Sequence, residues 1–162
     1  MEVMVQNYKE EDLADLILIW NEVVDEGTAF PQMEDLTKES AKDFFESQDY
    51  VGVAKVNGRI EGLYILHPNN VGRCGHQANA SYAVSAGARG CKIGERLVMD
   101  SLERAKELGY RLLIFNAVVK GNERAIKLYT KLGFVKVGEI PGGFLLKDGN
   151  YQDTMMFYHT IP

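Results

Sequence analysis

Between an apolar run, Ala80-Ser81-Tyr82-Ala83-Val84, and a long amphipathic stretch lies a short basic turn, Arg89-Gly90-Cys91-Lys92-Ile93-Gly94. No other segment constrains the fold as tightly. Ile93, Leu97, Val98, Leu102, Ala105 and Leu108 recur at spacings of three and four, which predicts one buried stripe on a helix that Gly109 ends. The apolar run reads as a buried strand, so residues 85–92 must turn the chain from strand into helix. Such a turn aims several free backbone N–H groups at one point. Those amides and the positive end of the helix dipole favour a phosphate, and Gly90 and Gly94 let a ligand approach without a Cβ in the way. Arg89 and Lys92 add positive charge.

Glycine-bearing turns of this kind also occur as plain structure, so the spacing alone leaves a ligand-free turn open. Two nucleotide motifs are excluded. A triphosphate loop needs G-x-x-x-x-G-K-S/T, but Gly94 is followed by Glu95 and Arg96, and the dinucleotide pattern G-x-G-x-x-G is absent. A net charge of -5, with no run or face that concentrates Lys and Arg, argues against nucleic acid and for a cationic partner. Cys74 and Cys91 have neither metal spacing nor a CxxC pattern, which points to a reducing compartment and no metal. Residues 1–5 open acidic and short, unlike a secretory leader, and no stretch approaches 18 apolar residues. The expectation is a cytoplasmic protein with no membrane association.

Residues 3–8 read as a strand and 11–24 as a helix, with Leu13, Leu16, Ile17, Trp20 and Val23 or Val24 at helical spacing. After a break at residues 25–32, Thr37 caps a second helix carrying Ala41, Phe44 and Phe45. Residues 50–56 and 59–67 are β-rich and meet at Asn57-Gly58, a two-residue hairpin turn. Beyond the long helix, residues 111–118 form a strand and 122–132 a helix that Gly133 stops. Residues 134–140 and 154–159 are expected as final strands, linked by a loop through Pro141-Gly142-Gly143 and Gly149-Asn150. One mixed sheet covered by helices accommodates this order, so the fold class is α/β or α+β in a single domain.

Residues 79–134 resemble the GNAT superfamily of N-acetyltransferases, whose signature Q/R-x-x-G-x-G/A stands at a strand-to-helix turn. Here it reads Arg89-Gly90-Cys91-Lys92-Ile93-Gly94, with Lys92 where the family usually has glycine. A second signature, an Asn seven residues before a Tyr in a helix ending in Gly-Phe, is present as Asn122, Tyr129, Gly133 and Phe134. The resemblance implies a mostly antiparallel sheet of about seven strands with about four helices, one acetyltransferase domain over residues 1–162, and acetyl-CoA as cofactor. It implies that the backbone of Ala83 and Val84 pairs with the pantetheine arm and that Arg89, Gly90, Cys91, Lys92, Ile93 and Gly94 hold the pyrophosphate. Asn122, with Ala125 on the same helix, would meet the cofactor arm. Tyr129 would give its proton to the departing thiolate. Asn79-Ala80-Ser81-Tyr82, Phe115-Asn116 and the pattern of Gly149, Tyr151 and Asp153 resemble a bacterial and fungal group that includes acetyltransferases of proline analogues. That likeness implies that Asn79 and Asn116 line the acceptor pocket and position the amine or the acetyl oxygen, with Tyr82 beside them.

Direct attack of an amine on a thioester needs the amine neutral, the carbonyl polarised and the leaving thiolate protonated. Against this requirement, a helix-face Tyr is often core, an Asn at a strand end often a cap, and a His near a turn often merely solvated. Residues 78–84 contain no carboxylate to act as base, which leaves a water chain, His67 or His76. Glu22, Asp25 and Glu26 end the first helix and would draw a cationic amine, or form a solvated run. Cys91 has no His-Asp partner pattern and would contribute backbone only. The expected reaction is acetyl transfer to a small-molecule amine, an amino acid or analogue. The alternatives are a catalytically weak CoA-binding sensor and an acetyltransferase of a protein or peptide amine. Apolar final strands and Phe144-Leu145-Leu146 suggest a homodimer edge.

Overall fold

Asn57 and Gly58, with φ of 51° and 78°, form the tight turn from which the sheet grows, in a computed structural model that describes residues 2–162. In chain order the elements are β1 (Val3–Asn7), α1 (Leu13–Glu26), α2 (Lys38–Glu46), β2 (Tyr50–Val56), β3 (Arg59–Pro68), β4 (Gln77–Val84), α3 (Ile93–Glu107), β5 (Leu112–Val119), α4 (Glu123–Lys131), β6 (Val135–Leu145) and β7 (Tyr151–Thr160). The strands lie in the order β1-β2-β3-β4-β5-β7-β6, and only β4 and β5 run parallel. The expected seven-stranded, mostly antiparallel sheet with four helices is therefore the observed one. Among the described residues no helix is long and apolar enough to cross a membrane.

Both faces of the first half of the sheet are covered, which is why β3 reads as a continuous apolar run rather than an alternating one. Leu63 and Ile65 join Val51, Val53 and Ala83 under α1 and α2, while Tyr64 and Leu66 join Ala78, Ala80, Leu113 and Phe115 under α3. α3 buries Ile93, Leu97, Val98, Ser101 and Ala105. Leu108, expected on that stripe, is the C-cap residue and stands 49% exposed, because the helix ends before its turn would reach the sheet. Gly109 and Gly133 take the left-handed conformation expected of helix stops, with φ of 87° and 91°.

The final hairpin departs from the sequence reading. β6 continues through Pro141, Gly142 and Gly143 to Leu145, and β7 begins at Tyr151, so the expected loop shrinks to the tip of a long hairpin. Edge position explains this, since an edge strand tolerates a proline and a register shift lies between Ile140 and Phe144. Gly142 takes φ of 63° and its N–H donates to Asp153 Oδ1 at 2.9 Å. Gly143 lies so close to β7 that a Cβ would come 2.3 Å from Thr154 Oγ1.

At the centre of the sheet, β4 and β5 pair only at Gln77 with Leu112, Ala78 with Leu113 and Asn79 with Ile114. Beyond that register they part, and a bulge after Phe115 bends β5 further. The result is a fork open toward the N-terminus of α3.

Packing elsewhere is tight. A Cβ on Gly52 would lie 2.1 Å from Cε1 of Tyr64, a buried ring whose hydroxyl donates to Asp100 Oδ2 at 2.6 Å. The ring has no free rotamer to give. Gly52→Ala is expected to lower the unfolding free energy by roughly 2–3 kcal/mol in a urea titration; a change below about 0.5 kcal/mol would show that the ring moves freely.

Candidate functional site

A cleft of about 710 Å³ fills the fork and runs between the N-termini of α3 and α4. Of the residues singled out from sequence, it gathers Glu26, Tyr82, Val84, Arg89, Gly90, Lys92, Ile93, Gly94, Asn122, Ala125 and Tyr129. Ala83, Cys91, Asn79 and Asn116 are not among its lining residues, nor are His67 and His76.

The turn before α3 has the expected free amides. Cys91 N–H bonds Ala88 O at 3.3 Å and Arg96 N–H bonds Lys92 O at 3.2 Å, but among the described residues no carbonyl takes the N–H of Gly90, Lys92, Ile93, Gly94 or Glu95. These groups open into one cleft at the positive end of a 15-residue helix. Lys92 is the N-cap and lies in the left-handed region at φ of 62°, which accounts physically for a glycine preference at this position. Cys91 and Cys74 are exposed free thiols.

The fork edge supplies a second set of backbone groups. Ser85 N–H bonds Glu61 O and Asn69 N–H bonds Gln77 O, both at 2.8 Å, so the odd-numbered residues of β4 are the ones hydrogen-bonded to β3. By antiparallel alternation the N–H and C=O of Ala80, Tyr82 and Val84 point toward β5 instead. The pairing edge expected at Ala83 and Val84 is therefore at Tyr82 and Val84; Ala83 is turned to β3 and its methyl is buried under α1.

Asn122 caps α4, its Oδ1 accepting Ala125 N–H at 3.4 Å, which leaves Nδ2 as a donor to the cleft. About two turns later Tyr129 lies half-buried among Phe115, Phe134, Tyr82 and Phe157, with its ring centroid 4.4 Å from that of Phe115. Burial pushes the Tyr129 phenol well above its ordinary value, so it stays protonated at neutral pH. No protein acceptor takes its hydroxyl among the described residues, and the residue lines the cleft. Tyr82 differs. Ser101 Oγ spends its one proton on Val98 O at 2.7 Å, so Tyr82 O–H is the donor to Ser101 Oγ, also at 2.7 Å. Its hydroxyl is thereby directed under α3, and only its ring and backbone remain for the cleft.

Asn79 and Asn116 meet the sheet elsewhere. Strand alternation puts both on the face opposite Tyr129. Asn79 Nδ2 donates to Ile114 O at 2.8 Å across the last paired register, a side-chain rung at the apex of the fork. Asn116 sits on the bulge and donates from Nδ2 to Asn69 Oδ1 at 2.7 Å. His67 is the cross-strand neighbour of Asn79, with Nδ1 bonded to Pro68 O at 2.9 Å, and His76 is exposed.

The acids at the end of α1 are engaged with the turn before α3. Glu22 Oε1 accepts Ala86 N–H at 2.6 Å, and Glu26 forms an ion pair with Arg89. Asp25 faces Asp35, whose carboxyl the contact holds above its ordinary value. Sequence reasoning missed Arg124, Thr28, Leu146 and Gln152, all of which line the cleft. A basic residue in the first turn of α4, where the dipole favours acids, was the one available signal for Arg124. Thr28 follows the α1 C-cap, and Leu146 and Gln152 arrive only through folding of the final hairpin, whose Gln152 Oε1 accepts Gly121 N–H at 3.0 Å and whose Lys147 stem lies on the α1 C-cap Gly27. Phe144-Leu145-Leu146 thus turns partly inward at Leu146.

The sequence model described as "Acetyltransferase (GNAT) family" matches residues 16–134. The N-acetyltransferase aca1 of Schizosaccharomyces pombe is 28% identical over 172 residues, covering 95% of this chain and 82% of that protein. A GCN5-related N-acetyltransferase from Kribbella flavida superposes with a TM-score of 0.90 at 29% identity, over 98% of this chain and 97% of that one. A GNAT superfamily phosphinothricin acetyltransferase from Sinorhizobium meliloti, solved in complex with AcCoA, has the same fold with a TM-score of 0.92 at 22% identity, over 99% and 89%.

Replacing the left-handed lysine separates its two contributions. Lys92→Gly is expected to raise the unfolding free energy of the free protein by roughly 0.5–1 kcal/mol while weakening the binding of inorganic pyrophosphate severalfold. Unfolding curves and calorimetric titration check the two arms; unchanged pyrophosphate binding would remove the ammonium from the site.

Proposed function

This chain belongs to the acetyltransferase (GNAT) family, and from that premise we propose that it transfers the acetyl group of acetyl-CoA directly to the amine of a small acceptor, an amino acid or analogue. One observation carries the reading. A phenol kept protonated by burial, with no protein acceptor, lines the same cleft as the unpaired amides before α3.

The residues fit the cofactor. The free N–H groups from Gly90 to Glu95, with Arg89, Lys92 and Arg124 beside them, suit a pyrophosphate-bearing group. The unpaired edge at Tyr82 and Val84 suits an extended amide-containing arm, with Asn122 Nδ2 opposite as a donor. When bound, acetyl-CoA supplies the acetyl group as an activated thioester. Tyr129 Oη holds the proton that a departing thiolate requires, and the surrounding Phe115, Phe134 and Phe157 rings exclude water from it. Asn79 and Asn116 lie off the cleft with their Nδ2 groups bonded to Ile114 O and Asn69 Oδ1, so they brace the fork rather than meet the amine. No carboxylate lies on β4, so the proton lost by the amine passes to solvent at the open side of the fork.

A small acceptor is supported by the final hairpin, whose tip packs on the end of α1 and roofs the cleft there, leaving little room for an extended peptide. Exposed, unlinked Cys74 and Cys91 support a reducing, cytoplasmic setting.

Free-thiol release from acetyl-CoA across proline analogues, amino acids, polyamines and a peptide tests the reaction. Acceptor-dependent turnover is expected with a small amine, and Tyr129→Phe is expected to lower kcat about 100-fold with little change in KM. A peptide as best acceptor would overturn the substrate class, and undiminished kcat in Tyr129→Phe would overturn the proton donor. The direction of the Tyr129 shift adds a pH prediction. A phenol raised above its ordinary value keeps its proton below it, so kcat should show no alkaline fall from this group up to about pH 10.

A further inference from the structure

β4 faces α3 with Ala78, Ala80, Tyr82 and Val84, and of these Tyr82 alone carries a polar side chain. Its phenol donates to Ser101 Oγ at 2.7 Å, and one residue earlier on the helix Asp100 Oδ2 accepts the phenol of Tyr64 at 2.6 Å. Tyr64 and Tyr82 are cross-strand partners in β3 and β4, with ring centroids 6.0 Å apart. Among the described residues no other side-chain hydrogen bond joins the sheet to α3. Packing does not call for a polar pair at Ser101, which is fully buried and whose Oγ also donates to Val98 O at 2.7 Å. An apolar pair of matched shape would be about as stable. What the hydroxyls add is direction, which apolar contact lacks.

β3 needs little of that direction. It is paired to β2 on one side and β4 on the other, and Gly62 seats it against the first turns of α3, where a Cβ would come 3.0 Å from Ile93 and 3.1 Å from Leu97. β4 differs beyond Asn79, because it then has β3 on one side and the open fork on the other. The turn that leads on to α3 is loosely packed, since Cβ atoms at Gly87 and Gly90 would meet nothing within 4 Å. The chain connection therefore does not fix how far the edge at Tyr82 stands from the free amides of α3. On the reading that this cleft takes acetyl-CoA, we propose that Ser101, acting through the phenol of Tyr82, is a positioning residue for the cofactor. The bond holds the open edge of β4 at a set distance from the N-terminus of α3, so that one extended ligand meets both. Ser101 itself stands about two turns inside the helix and does not line the cleft.

Calorimetric titrations of the full chain with CoA and with inorganic pyrophosphate test it. Pyrophosphate needs only the turn before α3, whereas CoA also needs the edge at Tyr82 and Val84. Ser101→Ala and Tyr82→Phe should each weaken CoA about fivefold while pyrophosphate binding stays within about twofold, which also shows that the variants fold. Tyr82→Phe leaves Ser101 its bond to Val98 O and is the milder of the two, so it decides the matter alone where Ser101→Ala does not fold. Because both act through one bond, the double variant should lose no more than either single one. Tyr64→Phe removes the sister bond and should leave the ratio of the two affinities unchanged. An unchanged ratio in Tyr82→Phe, additive losses in the double variant, or an equal shift in Tyr64→Phe would each overturn the proposal. A native chain that binds no CoA would overturn the cofactor reading along with it.

Discussion

The structure depends on a sheet that stops pairing in its middle. Every buried backbone N–H and C=O needs a partner, and a central strand normally finds one on each side. Here β4 and β5 share three residue pairs and then part, which leaves the edge at Tyr82 and Val84 without a strand. In an apolar interior that would be costly, so the gap persists only because it is a cleft, open to solvent or to a ligand that completes the pairing. The parting is held from several sides: Asn79 pins the apex to Ile114 O, the bulge at Asn116 bends β5, and Glu22 and Glu26 tie the far end of β4 to α1.

From this fork the remaining chemistry follows by position. The chain leaving β4 has only a short turn before α3, so the helix N-terminus and its free amides must open into the gap. The chain leaving β5 enters α4 sooner still, which sets the Asn122 cap and Arg124 on the opposite wall. Two positive helix ends thus face one volume. Tyr129 is brought to it by helical spacing from Asn122, and aromatic packing on its other sides both fixes the ring and raises its pKa. Fold and the proposed proton donor therefore share one cause, the placement of α4 over the diverging strands.

Much of this was legible in the sequence. The α3 stripe, the Asn57-Gly58 turn, the helix stops at Gly109 and Gly133 and the turn of free amides before α3 each have a local signal that tertiary packing did not override. What local patterns do not carry is pairing. Nothing in Ala83 and Val84 says which faces β3, because the answer depends on the register of a strand partner, Leu63 and Gly62, far upstream. Pro141-Gly142-Gly143 looked like a loop because its turn residues are the same ones an edge strand tolerates. Likewise Asn79 and Asn116 announce polar strand ends, but only the sheet shows that each is bonded within the fold, one to Ile114 O and the other to Asn69.

The central claim is that the unpaired backbone of the fork and of the turn before α3 forms the cofactor site. An amide-resolved NMR titration with CoA tests it most directly. The largest shifts should fall on the N–H groups of Tyr82, Val84, Lys92, Ile93, Gly94 and Glu95, with Ala83 changing little because its N–H is held by β3. Shifts that centre on Ala83, or on the acidic end of α1 with the turn before α3 unaffected, would contradict it.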